Sequence, residues 1–184
     1  MLRAASRLLA MAVVIVVLAG LPLTAARAQA SGDWSSYLYN GARTSYNGGE
    51  KIITPSTARK LTMRWNQTAG SQISTQPILV NGVIYYGAWD GYERAVDAAS
   101  GTLRWAAFLG VTTDLSCEPP TSMGVASTAA VGTIKVHGKA TRAVFVGGGD
   151  GSFYALNAST GREIWQTRLG APPGYFLWLS LIHI

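Results

Sequence analysis

Ala95-Val96-Asp97-Ala98-Ala99-Ser100-Gly101-Thr102-Leu103-Arg104-Trp105 aligns without a gap on Ala155-Leu156-Asn157-Ala158-Ser159-Thr160-Gly161-Arg162-Glu163-Ile164-Trp165. An alanine, an Asp or Asn, a hydroxyl residue, a glycine and a tryptophan recur at the same offsets. Trp65, Trp105 and Trp165 are also each followed five residues later by glycine, at Gly70, Gly110 and Gly170. Self-similarity of this kind is the signature of a repeat architecture and takes precedence over readings of single residues.

The flanks of the repeat read as short strands. Ile78 to Val80 is an apolar run, and Asn81-Gly82 after it is a strong hairpin signal. Val83 to Gly87, rich in β-branched and aromatic residues, is the next strand. Asp90-Gly91 turns the chain into Tyr92 to Asp97, and Ala99-Ser100-Gly101 turns it again into Leu103 to Leu109. Four short antiparallel strands in about 35 residues make one blade of a β-propeller. The second unit runs through Thr128 to Val136, a loop at 137–141, Arg142 to Gly147, Ser152 to Asn157 and Glu163 to Leu169. Its Asp150-Gly151 matches Asp90-Gly91. No stretch after the N-terminal segment has sustained helical periodicity.

The expected fold is therefore all-β: an incomplete propeller of four-stranded antiparallel blades, about two of them near-complete, plus one strand of a third. The extra strand is Lys60 to Gly70, which carries Trp65. A ring closes well when its first blade takes strands from both ends of a chain, so this strand expects partners from C-terminal blades of the same chain. Trp65 and Trp105 stand 40 residues apart, whereas Trp105 and Trp165 stand 60 apart. The surplus falls mostly in Val111 to Val125, with some in the longer hairpin. An insertion at one point of a repeat maps to a loop on one face, often the binding face.

The eleven-residue repeat resembles the tryptophan-docking motif of the quinoprotein dehydrogenase family, the propellers that bind pyrroloquinoline quinone (PQQ). That motif reads Ala-x-Asp/Asn-x-x-Thr-Gly-x-x-x-Trp. Ser100 stands for Thr in the first copy and Thr160 keeps it in the second. Asp33-Trp34 and Arg43-Thr44-Ser45-Tyr46-Asn47 are similar to the entry segment of these propellers, so the resemblance covers roughly residues 33 to 178. It implies structural roles for Ala95, Asp97, Gly101 and Trp105 and for Ala155, Asn157, Gly161 and Trp165. The Asp or Asn caps a turn through its side chain, the glycine turns the backbone, and the Trp ring packs between blades. It also implies PQQ and calcium as cofactors and the oxidation of an alcohol or polyol. The family's calcium ligands and catalytic carboxylate lie further along such chains, so no catalytic, cofactor-binding or metal residue is assigned here. The same repeat occurs in non-enzymatic propellers of outer-membrane assembly.

Many members of the family carry two adjacent cysteines after a docking tryptophan. Here Cys117 lies 12 residues after Trp105 and is followed by Glu118, so the adjacent pair is absent. Three readings stay open: a disulfide to a cysteine further along the chain, a free thiol, or an intermolecular bridge. Asp114 and Glu118 share the inserted loop and read as solvated carboxylates, and His137 reads as a surface residue of a hairpin. Asn66-Gln67-Thr68 and Asn157-Ala158-Ser159 match the glycosylation pattern by chance.

The N-terminus reads as an export signal over residues 1–30. Arg3 and Arg7 precede an apolar run from Leu8 to Leu23, and Ala28-Gln29-Ala30 is a small-x-small cleavage site before Ser31. The alternative is an uncleaved anchor, for which the apolar run is short. The whole chain carries 15 basic and 9 acidic residues; without Arg3, Arg7 and Arg27 there are 12 against 9, a net +3. These charges are scattered, with no basic stripe, which argues against nucleic acid as a partner. Residues 179–184 read as a non-native tail and residues 31–178 as part of a longer propeller protein. The expectation is an exported, periplasmic or extracellular chain. Its parent is a quinoprotein-type dehydrogenase or, alternatively, a non-catalytic envelope propeller that binds proteins or polymers. The 184 residues are expected to be inactive alone and to have no stable membrane span once the signal is cleaved.

Overall fold

Asn81 and Gly82 both take positive φ, 48° and 72°. That turn matches the twist of paired strands and needs residues that tolerate the left-handed region. It joins β1 (Ile78–Val80) to β2 (Val83–Gly87). The chain then returns as β3 (Tyr92–Asp97) and β4 (Leu103–Phe108). A computed structural model describes residues 32–113, 121–171 and 174–178. The second unit supplies β5 (Ala130–Val136), β6 (Lys139–Gly147), β7 (Ser152–Asn157) and β8 (Glu163–Arg168). Each unit is one four-stranded antiparallel sheet in sequence order, which is the order of a propeller blade.

The expected strands of the two blades recur within a residue or two, except at the hairpin of the second unit. The expected loop at 137–141 is a two-residue turn. His137 and Gly138 take positive φ of 48° and 78°, and the ladder continues to Val136 opposite Lys139. Thr133, Ile134, Val136 and Thr141 are β-branched and carry the pairing outward, so β5 has 7 residues where β1 has 3.

Both blades contain the same irregularity. Ala95 faces Trp105, but Val96 faces Leu103, which leaves Arg104 unpaired. Ala155 faces Trp165, but Leu156 faces Glu163, which leaves Ile164 unpaired. This β-bulge re-aims the tryptophan and increases the local twist.

The inner strands β2, β3, β6 and β7 carry most of the buried side chains of the two sheets. Val83, Tyr85, Glu93, Ala95 and Trp105 share one face of blade 1 by register. Most of them join Val144, Val146, Tyr154 and Leu156 of blade 2 in a single core. The chain entry covers the free edge of β1: Trp34 and Leu79 exchange both backbone hydrogen bonds at 2.6 and 2.9 Å, and Val131 donates to the Ser35 carbonyl at 3.1 Å. Covering an edge in this way prevents unwanted strand pairing.

Two features depart from expectation. Pro55–Ala58 forms a one-turn helix, α1, capped by the reciprocal Thr54 and Thr57 side chains, with Pro at its start. The expected strand from Lys60 to Gly70 joins no ladder among the described residues, because no strand lies beside it there. No described helix is long and apolar enough to cross a membrane.

A Cβ on Gly161 (φ +69°) would lie 2.7 Å from the Trp105 ring, whereas one on Gly82 (φ +72°) would meet nothing within 4 Å. Gly82→Ala should therefore cost about 1 kcal/mol through backbone conformation alone. Gly161→Ala should cost about 1–3 kcal/mol more through overpacking. Denaturant midpoints of the two variants check this; equal losses would contradict it.

Candidate functional site

The two blades share an end at which their turns and the inserted connection converge. The Asp90-Gly91 turn caps β2–β3, and the Asp150-Gly151 turn caps β6–β7. Leu109 donates to the Gly91 carbonyl at 2.7 Å and Leu169 to that of Gly151 at 2.9 Å, so each outer strand finishes against its own turn. From here residues 111–125 lead into blade 2. Thr112 and Met123 pair backbone to backbone at 2.8 and 2.9 Å and pinch the base of this insertion. Gly124 then passes over blade 1 so tightly that a Cβ would lie 2.4 Å from the Gly91 nitrogen. Cys117, Asp114 and Glu118 lie outside the described residues, as do residues 1–31 and 179–184.

Four side chains at this end carry polar chemistry: Asp90, which the sequence marks only as a turn residue, and Trp89, Glu93 and Arg94, which the sequence reading did not single out. Asp90 accepts from the Gly70 backbone at 2.8 Å and from Tyr92 at 3.1 Å, and it pairs with the Arg94 guanidinium. Burial is the largest single influence on Asp90 and raises it; Arg94 and the two backbone donors outweigh burial and leave its pKa below the ordinary value. Bonding to Asp90 raises Arg94 in turn. The Trp89 indole donates to the Ser74 hydroxyl at 2.9 Å. Glu93 is fully buried, and burial pushes its carboxyl well above the usual range. An i,i+4 acid–base spacing and a charge within an apolar strand were the available signals for Asp90, Arg94 and Glu93.

The residues of the eleven-residue repeat gather at the opposite end. The Trp105 indole donates to the Ala158 carbonyl at 3.0 Å, and its ring covers Gly161. Trp65 repeats the contact one blade earlier, on the Ala98 carbonyl at 3.0 Å and on Gly101. Ala95 and Ala155 are fully buried opposite Trp105 and Trp165. Asp97 accepts at 3.0 Å from both the Ala99 and Ser100 backbones, and Asn157 accepts from Ser159 and Thr160 at 2.9 and 3.1 Å. Trp105 is 8 % exposed but Trp165 is 39 % exposed, packed against Phe145 and Phe153. No glycine turn lies on Trp165 among the described residues.

Beyond Trp165 one contact recurs. Val125 donates to the Ala88 carbonyl at 3.0 Å, and Leu177 donates to the Gly148 carbonyl at 3.2 Å. A Cβ on Gly87 would meet Val125, and one on Gly147 would meet Leu177. Leu177 thus stands to blade 2 as Val125 stands to blade 1.

Among the described residues no three His, Cys, Asp or Glu side chains gather to hold a metal ion. At the turn-bearing end Arg94 is committed to Asp90, and Glu93 lies inside the blade interface. These groups do not fit a calcium ion, nor the carboxylates of a quinone cofactor, which need unpaired donors or cations. The described residues provide scaffold and shape at this end.

Residues 45–174 match a model of PQQ-type repeats described as outer membrane protein assembly factor BamB. The chain is 32 % identical over 143 residues to a 1-butanol dehydrogenase (cytochrome c) of Thauera butanivorans, covering 74 % of this chain and 19 % of that protein. It is 31 % identical over 138 residues to the dehydrogenase subunit of a quinone alcohol dehydrogenase of Gluconobacter oxydans, covering 73 % and 17 %. The chain thus spans about a fifth of the length of these curated relatives. Among solved structures it is similar to the quinohemoprotein alcohol dehydrogenase of Comamonas testosteroni, with a TM-score of 0.53 and 25 % identity over 79 % of this chain and 20 % of that one. A europium-containing methanol dehydrogenase shares the fold, with a TM-score of 0.56 at 20 % identity over 77 % of this chain and 24 % of that one.

The Asp97 turn has a pH dependence of its own. The Arg104 guanidinium, 2.6 Å away, and then the Ser100 backbone and hydroxyl hold Asp97 at about 2, below its ordinary value of 3.8. A lowered acid stabilises the fold above the unfolded value and loses that contribution as pH falls from about 3.8 towards about 2. Asp97→Asn keeps a cap like that of Asn157 and removes the titration. Wild type should therefore exceed this variant in melting temperature at pH 6 and converge on it near pH 2. A gap constant across that range would refute the assignment.

Proposed function

The chain belongs to the PQQ-repeat β-propeller family, and from that premise we propose that it is the exported N-terminal part of an alcohol or polyol dehydrogenase of the quinone type. The observation that carries this reading is the match of both blades to two alcohol dehydrogenases at over 30 % identity. On this reading the described blades are scaffold, and the residues that hold quinone and calcium come from elsewhere in a longer chain. The cofactor supplies the redox chemistry, and the protein binds and orients it. Cys117 ties the inserted loop down through a disulfide to that longer chain, and the 184 residues are inactive alone.

The missing partners of this reading are further blades of the same chain. Phe145, Phe153 and Trp165 present the face that Tyr85, Glu93 and Trp105 present one blade earlier, and Leu177 supports the start of a next unit in register. The segment around Trp65 takes the place of an outer strand whose blade is completed by C-terminal strands.

A second reading is a non-catalytic envelope propeller, favoured by the description of the matching family model. The inserted connection at 111–125 is then a binding loop.

The gene should continue in frame beyond codon 179 with further Trp-bearing repeats. The complete protein, given PQQ and calcium, should oxidise a primary alcohol with reduction of an artificial dye, and the 184-residue chain should not. Export predicts a mature N-terminus at Ser31 by mass spectrometry of the secreted or periplasmic fraction. If the complete protein neither binds quinone nor oxidises alcohols, the dehydrogenase reading fails. The envelope reading then predicts that deleting residues 111–125 abolishes recovery of its partner from envelope extracts.

A further inference from the structure

Glu93 is the second residue of β3 and is wholly shielded from solvent. Its register puts it on the face with Tyr85, Ala95 and Trp105, the face that packs on blade 2. Neither carboxyl oxygen has a hydrogen-bond partner. A Cβ built on Gly87, the cross-strand neighbour of Glu93, would lie 2.9 Å from Glu93 Oε2 and 2.3 Å from Val125 Cγ1. The carboxyl therefore sits over a bare glycine, beside the apolar side chain that leads into blade 2. The same position of the second repeat is Phe153, a residue suited to such surroundings. An isolated buried carboxylate is strongly disfavoured, whereas a neutral acid is far less so.

The titratable groups around it do not offset this. On β3 itself Arg94 favours ionisation, but it is bonded to Asp90 of the adjoining turn. β2 contributes Tyr86, and Tyr85, whose hydroxyl donates to the Ala158 carbonyl at 3.3 Å. β4 faces Glu93 with Ala107, and residues 123–126 carry no titratable side chain. In blade 2, Tyr154 donates to Asp150 at 2.7 Å. Burial is the largest influence on Glu93.

We propose that Glu93 is a proton-dependent clasp between the two blades: with the neutral acid the blades close on one another, and loss of the proton loosens them. Below the ordinary glutamate value of 4.5 both folded and unfolded chains hold the proton, and Glu93 adds no pH dependence. Above it the unfolded chain releases the proton while the folded chain keeps it. Stability then falls as pH rises, until the folded value is passed. The interface that loosens borders Gly124 and Val125, so the device couples pH to the packing of the segment that leads into blade 2.

The test compares the full chain with Glu93→Gln between pH 4 and 9, reading melting temperature and tryptophan emission. The two proteins should melt together at pH 4. The variant should melt higher as pH rises, with a gap on the order of 5 °C by pH 8. Wild-type emission should shift to the red at alkaline pH as Trp105 gains solvent, and the variant's should not. Parallel melting profiles, or a variant less stable than wild type at every pH, would overturn the proposal. If the glutamine variant fails to fold, Glu93→Leu must reproduce the flat profile; a leucine variant less stable than wild type at pH 8 counts against it equally.

Discussion

The outer strand of blade 1 is held at both ends by blade 2, and the rest of the architecture follows from that clamp. At one end the Trp105 ring lies on the backbone of Gly161 and its indole nitrogen bonds to Ala158. At the other end Gly110 lets the Asp150 turn approach until a Cβ would lie 2.5 Å from the Asp150 Cβ. The recurrent spacing from tryptophan to glycine is the distance between these two contacts. Trp65 and Gly70 show it one blade earlier, with Gly70 beneath Asp90. A side chain at Gly161 would displace the ring, a larger residue at Ala95 would crowd the strand that carries Trp105, and an unbulged ladder would aim the indole elsewhere. Because the clamp links only neighbours, stability in such an array is a sum of blade and interface contributions.

This clamp explains how much of the fold could be read from the sequence. β1, β2 and β3 have the expected bounds because alternation, β-branched residues and Asn-Gly or Asp-Gly turns all agree there. The bulges at Arg104 and Ile164 leave no compositional trace, since a bulged residue obeys no special chemistry of its own. The His137-Gly138 turn was read too long because histidine is an unusual residue for positive φ and Lys139 to Thr141 look like a loop by composition. α1 is a single capped turn, too short for periodicity to show. Glu93 was legible as a charge within a strand and by comparison with Phe153, but its meaning depended on knowing which face of β3 is buried. The inserted connection was visible as a break in period, but its footing on Gly91 through Gly124 is a tertiary fact.

The two repeats agree and differ in a pattern that separates scaffold from site. At the Trp-bearing end the residue types hold: Ala95 and Ala155, Asp97 and Asn157, Gly101 and Gly161. At the turn-bearing end they diverge around a constant aspartate. Asp90 pairs with Arg94, whereas Asp150 accepts the hydroxyl of Tyr154, the residue at the same offset. Burial first, then Asp150, raises the Tyr154 hydroxyl, so it remains a donor and serves where Arg94 serves in blade 1. The role of the aspartate is thus fixed, namely to hold the turn, while the partner is free to change between a charge and a phenol.

That asymmetry has a physical origin. A residue in the clamp touches the neighbouring backbone, where a change of even one methyl group meets close-packed atoms. At the turn-bearing end the glycines are packed as closely, but Arg94 and Tyr154 meet the side chains of Asp90 and Asp150, which adjust to one another. Trp89 in blade 1 and Gly149 in blade 2 occupy equivalent places, and both are accommodated by the path of Gly124 or of Gln72 beside them. The difference between the two repeats therefore falls on side chains that meet side chains, while the backbone contacts are kept. The described parts of the insertion, residues 111–113 and 121–125, the Asp90–Arg94 pair and buried Glu93 all lie at that end. Glycine contacts fix the stacking at both ends of the sheet, with the tryptophan rings added at one; at the other, the partner of a constant aspartate changes from Arg94 to Tyr154.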